Sequence, residues 1–144
     1  MTITFRRTTD DDLPLLHQWL NEPGVVEWWE GDDVSWEGVV RDYGSARGDG
    51  TDHFLVLLDG RPVGWIQTWS PDDAADTIGI DYLIGEPGDR GRGIGAAMIR
   101  AFVATELAAW RRITADPERA NLASVGALRN AGFVPEGDLM VLER

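Results

Sequence analysis

Phe54 to Leu58 and Val63 to Trp69 are two apolar runs joined through Asp59-Gly60. An Asp-Gly pair accepts the positive φ that a tight two-residue turn demands, so the runs are expected to close as an antiparallel hairpin. A third run follows the acidic loop Pro71 to Asp76. There Ile78, Ile80, Tyr82 and Ile84 alternate with Thr77, Gly79, Asp81 and Leu83, the period of a strand. Three strands with no helix between them commit the middle of the chain to antiparallel pairing.

The flanks supply the helices. Ile3 and Phe5 open a short strand, and Thr9 followed by Asp10, Asp11 and Asp12 reads as a helix start. Leu13, Leu16, Trp19 and Leu20 repeat at helical spacing, and Asn21 to Gly24 supplies the stop, with Pro23 unable to continue the ladder. Val25 to Gly50 reads as short helices joined by loops. Beyond the third strand, Ile94, Ala97, Met98, Ala101, Phe102 and Thr105 form one helical stripe, Arg112 to Ala115 a strand, and Leu122, Val125 and Leu128 a last helix begun by Asn121. Gly132 ends that helix, and Phe133 to Pro135 and Leu139 to Leu142 complete the sheet. The expectation is a single α+β domain over residues 1–144 with a mixed, mostly antiparallel sheet flanked by helices, a length ordinary for one domain.

Composition removes several chemistries. All 13 basic residues are arginine, so no lysine is present to serve a Walker loop or form a Schiff base. Cysteine is absent too, which excludes thiol nucleophiles, disulfides and thiolate metal sites. His17 and His53 are the only imidazoles, read as packing or surface residues, and no metal site is expected. A formal charge of −12 argues against a nucleic-acid partner and suits a cationic small molecule. The longest apolar run, Phe54 to Leu58, is far short of the roughly 18 residues of a membrane span, and without a signal-peptide pattern the cytoplasm is expected.

The densest motif is Arg90-Gly91-Arg92-Gly93-Ile94-Gly95, set between a strand and a helix. Free backbone N–H groups and the positive end of the helix meet there, which makes an anion site. The glycines let backbone approach a phosphate, and Arg90 and Arg92 supply fixed charge. Two other readings fit the same residues: a flexible turn with solvated arginines, and a dinucleotide fingerprint through Gly91, Gly93 and Ala96. The second is disfavoured because the motif follows a hairpin rather than the first strand of a parallel unit.

With that turn in place, nearly the whole chain resembles the GNAT acyltransferase superfamily, and most of all the aminoglycoside 6'-N-acetyltransferases. The likeness lies in Trp19-Leu20-Asn21-Glu22-Pro23 through Val26-Glu27-Trp28-Trp29, in Gly79-Ile80-Asp81-Tyr82-Leu83, and in Asp116-Pro117 followed by Asn121. It implies acetyl-CoA as co-substrate, held by Arg90, Gly91, Arg92, Gly93, Ile94, Gly95, Ala96 and Asn121, with backbone donors near Leu83 and Ile84 for the thioester oxygen. It also implies direct transfer to an amine in a ternary complex, Asp81 contacting that amine and moving its proton, and Asp116 contacting the substrate. Trp28 and Trp29 beside Glu27 and Glu30 would then wall a site for a polycationic sugar, one ring buried and the other in the pocket.

One departure stands out. Many superfamily members carry a tyrosine in the last helix, proposed as general acid for the leaving thiolate, where this chain reads Ala127-Leu128-Arg129. Tyr43 and Tyr82, the two tyrosines, have no assignable role from spacing. Asp72, Asp73 and Asp76 read as a solvated loop. Related alternatives are a siderophore-precursor or protein N-terminal acyltransferase, and a non-catalytic acyl-CoA-binding module; the assembly is expected to be a monomer or homodimer.

Overall fold

The computed structural model describes residues 2–29, 31–71 and 75–144. Strand β2 (Asp52–Leu58) turns through Asp59 and Gly60, at φ +50° and +80°, into β3 (Arg61–Trp69). β3 pairs antiparallel with β4 (Thr77–Ile84), and β1 (Ile3–Arg7) adds to the other side of β2. β5 (Arg112–Ala115) lies parallel to β4, followed in space by β7 (Leu139–Glu143) and β6 (Val134–Glu136). The seven strands therefore run β1-β2-β3-β4-β5-β7-β6, mixed and mostly antiparallel as expected.

Helices cover both faces, so the central strands are buried on both sides. α1 (Leu13–Leu20), α2 (Pro23–Val26) and α3 (Trp36–Tyr43) lie over one face, where Leu55, Trp65 and Leu83 meet Leu16, Trp19 and Leu20. α4 (Ile94–Thr105) and α5 (Leu122–Asn130) cover the other, packing Phe102 and Met98 on Val56, Ile66 and Ile80. α5 is capped by Asn121, which accepts a hydrogen bond from the Ser124 amide at 3.2 Å, and Gly132, at φ +100°, leads out of it.

Three local expectations change. α1 stops at Leu20, but Pro23 opens α2 as its first residue, a position where the missing N–H costs nothing. The buried residues of α4 are Ile94, Ala96, Met98, Ile99, Phe102 and Val103. The bulkier Ile99 and Val103 take the core, Ala97 and Ala101 sit at its margin, and Thr105 is exposed with its hydroxyl donating to Ala101 O at 2.8 Å. Leu122 is 77% exposed rather than packed, because α5 begins at the lip of an open cleft.

The feature that positions the site is the shortness of β5. Its pairing with β4 covers only Thr77 to Ile80, and β5 ends at Ala115 opposite Ile80. Asp81 to Ile84 continue along β3 with no strand on their other edge. The chain then leaves β4 at Gly85, against which the fully buried ring of Trp19 lies so closely that a Cβ would stand 2.1 Å from it. The same indole donates to Glu86 Oε1 at 2.9 Å. Gly85→Ala is expected to cost about 1–3 kcal/mol through overpacking, read as a lowered midpoint in chemical denaturation.

Candidate active site

After Gly85 the chain makes a single 3-10 turn, Pro87–Asp89, and reaches the glycine motif. Gly91 and Gly93 take φ +73° and +75°, and nothing lies within 4 Å of a Cβ built on either. The amides of Gly91, Arg92, Gly93, Ile94, Gly95 and Ala96 find no main-chain acceptor among the described residues; the first inward bond is Ala97 N–H to Gly93 O at 3.2 Å. Six such donors gather at and just before the start of a twelve-residue helix, where the helix dipole favours a negative charge.

The two arginines differ. Arg90 folds back, its guanidinium donating to Ile84 O at 3.4 Å and lying where a Cβ on Gly24 would stand, 2.3 Å away. It thereby joins the glycine turn to α2. Arg92 is exposed outside the cleft lining, 3.6 Å from Asp89 Oδ1. Asp89 accepts two 3.0 Å bonds from Arg61, which hold its carboxyl below the usual range.

This turn borders a cleft of about 620 Å³ that runs from Gly91 and Gly93 along Leu83 and Ile84 to the start of α5 at Asn121 and Leu122. Glu27 lines this cavity. A second cavity of about 330 Å³ adjoins it and contains Asp81, Asp116, Asp32 and Glu118. Trp28, Trp29, Tyr82, Asn121 and Ser124 line both. The tryptophans do not divide as expected. Both are half-buried walls, Trp29 leaning edge-on against Trp65 at 5.9 Å between centroids. Glu30, Asp72 and Asp73 lie outside the described residues; Asp76 is exposed.

Backbone direction along β4 follows from one bond. Gly85 N–H donates to Val63 O at 2.9 Å, so alternation turns the amides of Leu83 and Asp81 toward β3 and those of Ile84 and Tyr82 toward the open edge. Of the two expected donors, Ile84 faces the cleft through its N–H and Leu83 lines it without doing so.

Asp81 sits in a row of side chains across three strands. His53, Gln67 and Asp81 are register partners on β2, β3 and β4, and Gln67 Nε2 donates to Asp81 Oδ2 at 2.8 Å. Burial raises the Asp81 carboxyl above its ordinary pKa; the Gln67 bond opposes that rise, and the charges of Asp116 and Asp32 add to it. His53 is a packing residue, buried against Tyr43 and Trp65 and pushed down to about 4 by burial, hence neutral. His17 is half-buried, its ring edge-on to Trp36.

Gln67, Asp32, Glu118, Tyr82 and Ser124 were not singled out from sequence as site residues. Gln67 had a readable signal, since any antiparallel partner of Asp81 on its own face borders the same pocket. Asp32 and Glu118 arrive on the α2–α3 and β5–α5 connections and Ser124 on α5, where it bonds Tyr82 of β4.

Residues 8–141 match the family described as acetyltransferase (GNAT) domain. The chain belongs to the GNAT acetyltransferase family. It is 28% identical over 154 residues to the aminoglycoside N(6')-acetyltransferase type 1 of Klebsiella pneumoniae, covering 94% of this chain and 76% of that protein. The structure of AAC(6')-Ib with paromomycin and acetyl-CoA superposes with a TM-score of 0.91 at 28% identity, covering 100% of this chain and 94% of that one. AAC(6')-Ib with coenzyme A and kanamycin gives 0.88 at 27%, covering 99% and 95%. No helix among the described residues is long and apolar enough to cross a membrane.

An acid whose folded pKa is raised binds its proton more tightly in the native state, so its ionisation withdraws stability as pH climbs from the ordinary carboxylate range through the raised value. Asp81→Asn should therefore unfold at higher temperature than wild type at neutral pH, by about 3–5 °C for each ~1 kcal/mol relieved. Melting curves below the ordinary carboxylate range, where Asp81 is protonated in both states, should coincide.

Proposed function

We propose that this protein transfers the acetyl group of acetyl-CoA to the 6'-amine of an aminoglycoside, by direct attack within a ternary complex. The observation that supports this best is the pair of joined cavities, one bordered by the free amides of Gly91 and Gly93 to Ala96 and the other holding four carboxyl groups. A diphosphate fits the first and a polycation the second. The relatives crystallised with acetyl-CoA or coenzyme A and with paromomycin or kanamycin favour the same pairing.

In this reading Gly91 through Ala96 hold the diphosphate, with Arg90 and Arg92 flanking and Asn121 at the facing helix. The Ile84 amide donates to the thioester oxygen as it gains charge, beside Leu83. Asp81, fixed by Gln67, orients the attacking amine and takes up its proton through a water. Direct abstraction by a carboxylate at about 3.9 from an alkylammonium near 8–10 is uphill by roughly 6–8 kcal/mol, and the raised pKa of Asp81 narrows that gap. Trp28, Trp29 and Glu27 form the wall, while Asp116, with Asp32 and Glu118, meets the remaining ammonium groups. Residues 1–144 act as one catalytic domain in the cytoplasm, as a monomer or homodimer.

Leu128 supports a second reading, a module that binds acyl-CoA without transferring the acyl group, because it is fully buried and offers no hydroxyl. A thiol-release assay with acetyl-CoA against aminoglycosides, peptides and hydroxylysine separates the two. Turnover with 6'-amino sugars is expected; coenzyme binding with no thiol released from any amine would establish the module instead. In the same assay Asp81→Asn should lose about 10²–10⁴-fold in kcat at unchanged coenzyme affinity. The aminoglycoside KM should rise with added salt, since screening shortens charge attraction to about 8–10 Å at moderate ionic strength; a flat salt dependence would contradict the polycation site.

A further inference from the structure

Acetyl transfer, on the reading above, must take place where the two cavities meet. The side chains lining both are few, and two of them are hydroxyls bonded to one another: Tyr82 Oη lies 2.6 Å from Ser124 Oγ and 3.2 Å from Ser124 O. This pair bridges the free edge of β4 to the first turn of α5. The amide oxygen of Asn121 is already engaged in capping α5.

Counting protons shows what the pair can do. Two hydroxyls sharing one hydrogen bond leave one proton over. When Ser124 donates to Tyr82, the tyrosine proton has only the carbonyl of Ser124 at 3.2 Å, long for an O–H···O bond. When Tyr82 donates to Ser124, the serine proton has no other acceptor among the described residues. The second arrangement leaves the serine O–H for a third group at the junction, and the first leaves the tyrosine O–H on a long bond that a better-placed acceptor can replace.

We propose that the Tyr82–Ser124 hydroxyl pair is the hydrogen-bond donor to the coenzyme sulfur as the carbon–sulfur bond breaks, an assignment that rests on the acetyl-transfer reading. The amine nitrogen bonds to the carbonyl carbon, the C–S bond breaks, and its electron pair leaves on sulfur. The proton lost by the amine completes the free thiol, so the hydroxyls are unchanged over a turnover. Tyr82 keeps its own proton, because burial pushes it up to about 12, well above a thiol near 8.5. It stabilises the thiolate by donation rather than by protonating it. The amino end of α5, where Ser124 sits, adds positive potential at the same point. Leu128, one turn further along α5, offers no hydroxyl, so the donor at this junction is anchored on β4.

The test is the ionisation of the coenzyme A thiol bound to the protein, followed by the ultraviolet absorbance of the thiolate across pH. With wild type the bound thiol should titrate below the free coenzyme. In Tyr82→Phe its dissociation constant should fall about tenfold, a shift of one unit. Ser124→Ala should shift in the same direction and Ser124→Thr, which keeps a hydroxyl, should restore the wild-type value. Amine KM and the affinity for acetyl-CoA, which has no thiol to ionise, should hold in all three while kcat falls in the first two. A thiol that titrates identically in wild type, Tyr82→Phe and Ser124→Ala, with coenzyme bound, overturns the hydroxyl assignment and leaves acetyl transfer standing. Failure of wild type to bind coenzyme A would instead bring down both.

Discussion

Every functional property of this fold depends on an unequal pairing. β4 is eight residues long and β5 four, so the parallel ladder stops at Ile80 while β4 continues to Ile84 beside β3. In a complete sheet the amides of Tyr82 and Ile84 would be consumed by the neighbouring strand. Here they have no acceptor among the described residues, and the space a longer neighbouring strand would fill becomes the cleft. Preorganised backbone donors need no rearrangement when charge develops opposite them, which is why an interrupted sheet suits acyl transfer better than an intact one. The interruption is flanked by two fixed points: Trp19 and Gly85 set the exit of β4, and α5 with its Asn121 cap forms the opposite wall.

The electrostatics divide along the same line. The glycine-rich end of the cleft presents main-chain dipoles, with Arg92 exposed and Arg90 turned inward, whereas the adjoining cavity concentrates carboxyl groups around half-buried indole rings. Placing Asp81 among other acids is locally unfavourable, and the single bond from Gln67 offsets only part of the cost. A stability optimum and the cation site proposed here therefore pull this position in opposite directions.

Much of this was legible in the sequence because much of it is local. The Asp59-Gly60 turn, the alternation around Asp81, the glycine motif before α4 and the exit at Gly132 each depend on residues within a few positions of one another, and each was found where expected. The misreadings concern what lies opposite. Leu122 has the spacing of a core residue, but it lies on the side of the first turn of α5 that nothing among the described residues covers. Ala97 and Ala101 fit a helical stripe as well as Ile99 and Val103 do; only the sheet beneath α4 decides between them. Tyr82 gave no signal at all, since its partner is 42 positions away on another element. The point at which β5 ends relative to β4 is likewise a property of two segments, and no periodicity in either encodes it.

Arg90 and Gly24 extend this to how such a protein can vary. The guanidinium occupies the volume a methyl group at position 24 would need, although the two residues belong to different segments, one in the glycine turn and one in the second helix. A side chain at 24 would push the flexible end of Arg90 aside and cost it the contact with Ile84 O, so a change in one segment is transmitted to the other through that arginine.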